Sequence, residues 1–541
     1  MKSHRFLFPV LLLITLITYY PTIGAGFVYD FLGWQRLYDK GSFGDIFTSF
    51  GYHGNHQVLH FFFYSIYALF HIKGLPWYII FCSIHAFNGW LLYTWLMQLS
   101  DRWSLHFSKL IALLFSILFI IHPYNVEPVV WKVCIHYLLS FSAVFGILLL
   151  SPAYIHEGNK RSMQLSLVVF LLSLFLLEIS FVTPAVISLF LLVQSFVLAY
   201  SKSMLRRSVI LAGSMWALLA GYILLTKLTL GTWVGHYGTK VHLRLDLIGM
   251  MSTEVKYLVK HLTDARYFSF KAKVMLFDTM LSIPELIFFI LCAGLVLTIV
   301  YFLKAKKISG RWHLVFFSVI ASMLYILPVS NIFFYHIGIG MNDRYGYLPI
   351  PFLIAGLIAI LTSAPKWLNI ALAAVIVLIN LYLQEKTIRY WHESTEVLTH
   401  LKETYHWQDS SYVFILNSPD NMNGITMASI IEAPSGIDEL IDFQTSKPNT
   451  GITFDIFQYN MTTPYDGVKV EQTGPMQLKV TFHQWGNWWH RNGIGASSYE
   501  NEFYKADILD YPYQVTFKQF PKGSVILYQD GSTWKEFKLQ R

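Results

Sequence analysis

Long uncharged apolar runs recur through the first 385 of the 541 residues, and no other feature constrains the fold as strongly. Each is about 20 residues, the length a helix needs to cross a hydrocarbon layer about 30 Å thick. Water is absent there, so such a segment must satisfy its backbone hydrogen bonds internally, as a helix. Residues 6–25 form the first run and contain no charged side chain. It is too long for a signal-peptide core and no small-x-small cleavage site follows it, so it reads as an uncleaved span. Further spans are predicted near 75–98, 109–122, 133–155, 163–178, 180–200, 208–227, 283–303, 312–329, 346–364 and 367–384, about eleven in all. Residues 57–72, with His56, His60 and His71 around HFFFYSIYALF, are too short to cross and read as interfacial or re-entrant.

The basic residues orient these spans. With the N-terminus cytoplasmic, the inner segments hold fourteen Lys and Arg against only Asp101 and Glu157, as the positive-inside rule requires. Counting 57–72 as a full crossing would reverse every later loop and destroy that asymmetry. The net charge is +8; the inner segments carry +12, so the rest of the chain carries −4 and no basic nucleic-acid surface is needed. Charged residues are 13% of the chain, against about 25% in an ordinary soluble domain. Cys82, Cys134 and Cys292 lack metal spacing, and all three read as buried apolar filler in or beside spans.

The fold class expected is therefore a polytopic α-helical membrane protein with a C-terminal α+β, strand-rich soluble domain. Residues 1–385 form the transmembrane domain, 386–411 a polar helical connector, and 412–541 the soluble domain. In the last, SYVFILN, MQLKVTFHQW, YQVTFKQF, SVILYQ and TWKEFKL alternate as strands do, and ASIIEA reads as a short helix. An odd number of spans puts this domain outside the cytoplasm. The long connections, 26–74 and 228–282, fall on that outer side, where function is expected because loops carry it. HQWGNWWHRNG at 483–493 could stack on sugars or form a small core. Asn460-Met461-Thr462 matches a glycosylation acceptor.

Ionisable side chains at membrane depth are costly and usually line a cavity. Asp30 follows the first span in GFVYDFLGW. Glu127 lies in IHPYNVEPVVWK between His122 and Lys132, and Glu178 in LFLLEISFVTP. Asp343 and Arg344 lie in GMNDRYGYLP, and His85 and Asn88 share a helix face. Each has a bland alternative: a helix-end acid, a structural ion pair, a tight turn, a snorkelling arginine, or interhelical hydrogen-bond partners for His85 and Asn88. Their convergence on the outer side is the informative feature. A carboxylate and a guanidinium there suit sugar transfer from a lipid phosphate. Arg can hold the phosphate by paired hydrogen bonds, while a carboxylate takes the proton of an acceptor hydroxyl attacking the anomeric carbon.

Several segments are similar to one family. GFVYDF, the His…Asn helix WYIIFCSIHAFNGWLLY, IHPYNVEPVVW, LEISFVTP, LPVSNIFFYHIGIGMNDRYGYLP and IRYWHES span roughly residues 20–395. They resemble the GT-C glycosyltransferases that use polyprenyl- or dolichyl-phosphate sugars. The nearest likeness is to the membrane part of the transmembrane and tetratricopeptide-repeat O-mannosyltransferases and their bacterial relatives. The resemblance implies that Asp30 is catalytic and that Glu127, Glu178 and Arg344 line the donor and acceptor cavity. The sequence departs from the family at Phe31, Ile135, Tyr137 and Leu177, and a strand-rich domain replaces the repeats.

The expected activity is an inverting transfer of a mannose-like hexose from a polyprenyl-phosphate donor to a protein, glycan or lipid acceptor on the outer, periplasmic or luminal side. Asp30 would be the base. Arg344, with Lys132 and His336, would bind the donor phosphate. Glu127, Glu178, His122, Asp343, His85 and Asn88 would line the cavity. A divalent metal is compatible with this chemistry, but no ligand cluster with metal spacing calls for one. The expected location is a bacterial inner membrane, with an endoplasmic reticulum membrane as the alternative. A lipid-linked saccharide flippase would need polar residues through to the inner face and repeated halves; a non-catalytic scaffold would tolerate loss of Asp30 and Arg344.

Overall fold

A computed structural model describes residues 6–28, 30–42, 44, 55–105, 107–233, 246–330, 342–362, 365–404, 412–427, 452–483, 488–489, 498–508 and 511–540. The expected helix ASIIEA and most of the 483–493 aromatic cluster lie outside them. The chain forms two compact units, residues 1–23 with 40–387, and residues 24–39 with 388–541.

The first unit is helical. Among the described residues, seven helices are long and apolar enough to cross a membrane: Gly74–Arg102, Lys132–Glu157, Glu178–Leu198, Lys202–Leu230, Pro284–Lys307, Gly310–Ser330 and Lys366–Leu401. An eighth crossing results if Lys109–Ile120 and Pro123–Val130, bent by 51°, count as one. The remaining expected spans are shorter helices, Leu7–Tyr19, Lys160–Leu174 and Pro349–Leu361. The first stops where Pro21 and Gly24 follow, and the second at the Glu178 turn. All eleven stretches thus carry a helix, but fewer reach full crossing length. Gln57–Phe70 is likewise a short apolar helix. In Pro284–Lys307 only 11% of the most apolar window is buried, with Phe289, Leu297 and Leu303 all exposed. So much uncovered apolar surface is stable against lipid and not against water. The chain is an integral membrane protein. Cys292 lies exposed on this helix, so it is not core filler, while Cys82 and Cys134 are buried.

Polar side chains join the helices where small residues let them approach. His85 Nδ1 and the Tyr347 hydroxyl are 2.7 Å apart, and His85 Nε2 donates to the Ile120 carbonyl. Asn88 Nδ2 donates to the Leu138 carbonyl and to Tyr347, and Asn88 Oδ1 accepts from Ser142. A Cβ at Gly89 would meet the Ile120 side chain at 2.9 Å. His85 and Asn88, expected at a cavity, are fully engaged in helix packing, because buried polar groups in a bundle must find partners there. Beneath them Trp95, Phe145, Phe317 and Phe352 form an aromatic core.

In the second unit, the described residues of the expected connector, 386–404, continue the long helix Lys366–Thr404. Trp534 Nε1 donates to the Val397 carbonyl, tying the last strand to that helix. Among the described residues, eleven strands form two sheets: β1 (Tyr412–Met422), β2 (Ile425–Thr426), β3 (Ile452–Met461), β4 (Val468–Gly474), β5 (Gln477–Phe482), β6 (Trp488–Trp489), β7 (Ser498–Glu500), β8 (Tyr504–Asp507), β9 (Tyr513–Phe517), β10 (Val525–Asp530) and β11 (Thr533–Phe537). The first sheet has the order β11-β10-β1-β3-β6, with β2 paired to β1, and the second β4-β5-β9-β8-β7. The central strand β1 runs parallel to both β10 and β3, which explains its near-continuous burial. The second sheet is antiparallel, and its strands alternate buried and exposed. Asn460 sits in β3 with Oδ1 accepting from Asn421 Nδ2, a poor position for a glycosylation acceptor.

Candidate active site

The bent helix pair opens the site. His122 caps the turn Pro123–Asn125, its Nδ1 accepting from the Tyr124 amide, and Asn125 Nδ2 donates to the Phe119 carbonyl across the bend. The turn leads into Val126–Val130, which carries Glu127. Glu127 Oε1 accepts from Arg344 Nη1 at 2.7 Å, and Oε2 accepts from the Arg344 amide at 2.9 Å. The guanidinium carbon lies 5.1 Å from the Trp131 ring centre and 4.8 Å from that of Tyr345. Planar Arg can pair and stack at once, which Lys cannot.

Asp343, next to Arg344 and fully buried, faces different partners. Its Oδ1 is 2.8 Å from Lys260 Nζ, and its Oδ2 accepts from Arg266 Nη1 at 2.5 Å. Lys260 also lies over the rings of Tyr124 and Tyr257, and the Tyr124 hydroxyl accepts from the Arg266 amide. Lys260, Arg266 and Arg344 thus meet Asp343 and Glu127, leaving one positive charge in excess. Buried charge without full compensation is costly. Asp264, which ends the Lys260 helix in a left-handed conformation, lessens the excess only in part. Burial, and then the nearby Asp343 charge, raise its carboxyl to about 7.

Lys260 and Arg266 belong to the 228–282 connection, a region singled out by sequence without naming its residues. Leu247–Thr263 is capped by Asp246, whose Oδ1 accepts from the Gly249 amide, and carries Lys260 and His261 in its last turn, where the helix dipole favours cations. Met251, Val255 and Val259 pack toward an apolar cluster with Phe277, Leu281 and Ile287. Glu254, Tyr257 and His261, at i, i+3 and i+7, form a second buried face. That spacing of polar residues in STEVKYLVKHLTDAR was the available signal.

The other expected site residues are placed as follows. Lys132 is buried with Nζ 5.2 Å from the centre of the Phe81 ring. Glu178 Oε1 is 3.6 Å from His56 Nε2 in a separate polar group, where Asn55 Nδ2 donates to Thr226 and Thr229. His336 lies outside the described residues. Asp30 begins the helix Asp30–Lys40 with its side chain exposed, and belongs to the second unit. Among the described residues, no group of three or more His, Cys, Asp or Glu could hold a metal ion.

No protein-family model and no curated protein matches the chain. Among solved structures it is similar to the archaeal oligosaccharyltransferase AglB from Archaeoglobus fulgidus in complex with an inhibitory peptide and a dolichol-phosphate. That likeness has a TM-score of 0.40 and 13% identity, over 83% of this chain and 64% of that one. It is also similar to ArnT from Cupriavidus metallidurans bound to undecaprenyl phosphate, with a TM-score of 0.31 and 12% identity, over 83% and 92% of the two chains. The chain therefore spans just under two thirds of the oligosaccharyltransferase's length.

Proposed function

We propose that this protein is a membrane glycosyltransferase that moves a hexose from a polyprenyl-phosphate donor to an acceptor hydroxyl on the extracytoplasmic side, with inversion. The observation that carries the reading is an excess of cations, Lys260 and Arg266 buried and Arg344 part-buried, against Asp343 and Glu127. An anionic phosphate completes such a cluster, and the same cations stabilise charge as it develops on the leaving phosphate. A carboxylate base removes the proton of the acceptor hydroxyl, the role that the family resemblance implies for Asp30. The hydroxyl oxygen then forms the new bond to the anomeric carbon from the face opposite the phosphate, and the bond from that carbon to phosphate oxygen breaks. The bond electrons leave with the lipid phosphate, and the proton stays on that base until water takes it.

Membranes containing the full-length protein, given radiolabelled polyprenyl-phosphate mannose, should label an acceptor and release lipid phosphate. Asp30→Asn should reduce that rate by about 10²–10⁴-fold, the usual contribution of a general base, with an unchanged thermal midpoint. Wild-type transfer in this variant removes Asp30 from the mechanism.

A further inference from the structure

The polar face of Leu247–Thr263 has no role in the reaction as described, and its chemistry is unusual. Glu254 is 1% exposed and His261 4%. Among the described residues, neither carboxyl oxygen of Glu254 and neither ring nitrogen of His261 has a hydrogen-bond partner. Four such atoms on one helix face call for a partner, since the great majority of buried polar atoms are satisfied. The residues are seven apart, or about 10 Å along the helix axis. Tyr257 lies between them, its ring centre 5.8 Å from that of His261 and 6.2 Å from that of Tyr345. On the far side the His261 ring packs closely on Gly346, where a Cβ would come within 2.9 Å of Nε2. Burial favours the neutral form of both groups. Burial raises the Glu254 carboxyl to about 8, and burial, then Lys260, hold His261 well below its ordinary range. A neutral carboxyl and a neutral imidazole each donate one hydrogen bond and accept others, as a hydroxyl does. They are poorly suited to an ion. The adjoining Lys260 and Arg266 supply what an anion needs.

We propose that the Glu254–Tyr257–His261 face is the hydroxyl-binding subsite for the transferred hexose, with Glu254 and His261 exchanging hydrogen bonds with ring hydroxyls and Tyr257 offering an aromatic surface between them. The proposal rests on the lipid-phosphate sugar reading and adds which residues recognise the sugar. About 10 Å accommodates one ring-sized ligand with a hydrogen bond at either side.

The test compares two probes on the full-length protein in lipid nanodiscs: polyprenyl phosphate alone, and the same lipid carrying mannose. Wild-type protein should bind the sugar lipid about tenfold more tightly, the effect of one or two net hydrogen bonds. Glu254→Leu and His261→Leu should each erase most of that difference and leave binding of the bare lipid phosphate unchanged, while Glu254→Gln should retain it. Equal wild-type binding of the two lipids overturns the subsite and leaves the lipid-phosphate reading standing. Failure of the wild type to bind either lipid overturns that reading itself. Weakening of both probes by the same factor in both leucine variants, together with lowered thermal midpoints, makes the face structural only and also overturns the proposal.

Discussion

Asp343 holds two buried cations with its two oxygens, so its charge cannot be removed without consequence. Asp343→Asn keeps the shape and hydrogen-bonding capacity but leaves Lys260 and Arg266 without a counter-charge. Breaking a buried pair from one side costs roughly 3–5 kcal/mol. We expect a matching fall in the thermal midpoint of the detergent-solubilised protein, and an unchanged midpoint would mean that the cations are compensated elsewhere. At this scale the sequence was partly legible. Glu127, Asp343 and Arg344 were identifiable because ionisable groups beside long apolar runs stand out. Their pairing was not, since Glu127 takes Arg344 while Asp343, its neighbour in sequence, turns to Lys260 and Arg266. Local spacing carries no record of partners more than 70 residues away. Lys260 and Arg266 were missed because a basic residue in a polar loop looks like any solvated one until tertiary packing buries it.

Strand β1 shows how an element reshapes the chemistry of its residues. β3 runs along the whole of it, β10 flanks its first residues and β2 pairs with its end, and it is buried from Val413 through Met422, Asp420 included. Burial raises the Asp420 carboxyl to about 6, against a hydrogen bond from Asn421 that lowers it. The folded state therefore holds this proton more tightly than the unfolded chain does. Stability should fall as pH rises from about 4 to about 6, by at most roughly 3 kcal/mol, and should be flat above that window. Hydrogen exchange at β1 amides of the full-length protein, corrected for intrinsic rates, would show protection declining over this interval. Asp420→Asn should flatten the decline, and an unaltered slope would assign it to other groups. Strands with alternating side chains, such as β5, β9 and β10, could be read from sequence. By contrast, β3, in ITFDIFQYNM, contains Asp455 and Asn460, whose side chains accept hydrogen bonds from Ser418 and Asn421 on the neighbouring strand. A strand whose polar residues are matched only by a distant partner gives a weak alternating pattern. Helices were clearer, because the demand for internal hydrogen bonding in lipid leaves one solution, although capping prolines and turns shortened several of them.

At the scale of the whole molecule, the two units are not two halves of the sequence. Residues 24–39 interrupt the first unit and belong with residues 388–541. Phe31, Leu32 and Tyr38 of that segment are buried although Asp30 is exposed. Deleting residues 412–541 should uncover these apolar side chains. In native membranes, the deletion should speed amide exchange in Asp30–Lys40 by about tenfold or more, since local protection follows the packing that supports it. It should leave exchange in Gly74–Arg102 unchanged. Equal protection of Asp30–Lys40 in both proteins would show that this helix is held within the membrane part alone. Sequence reading placed the boundary near residue 385 but treated 26–74 as a single loop. Grouping by contact is invisible to composition, because a short amphipathic helix such as DFLGWQRLYDK has the same pattern whichever neighbour covers it.

The split membership of residues 24–39 also bears on how the chain is made. A ribosome delivers this stretch before the crossing Gly74–Arg102, but the residues grouped with it, 388–541, emerge only after Gly310–Ser330 has been threaded. While the residues between are made, the segment therefore waits with its greasy side uncovered. Quality-control factors that watch the membrane surface would meet it first, and residues 388–541, on arriving, would end their surveillance.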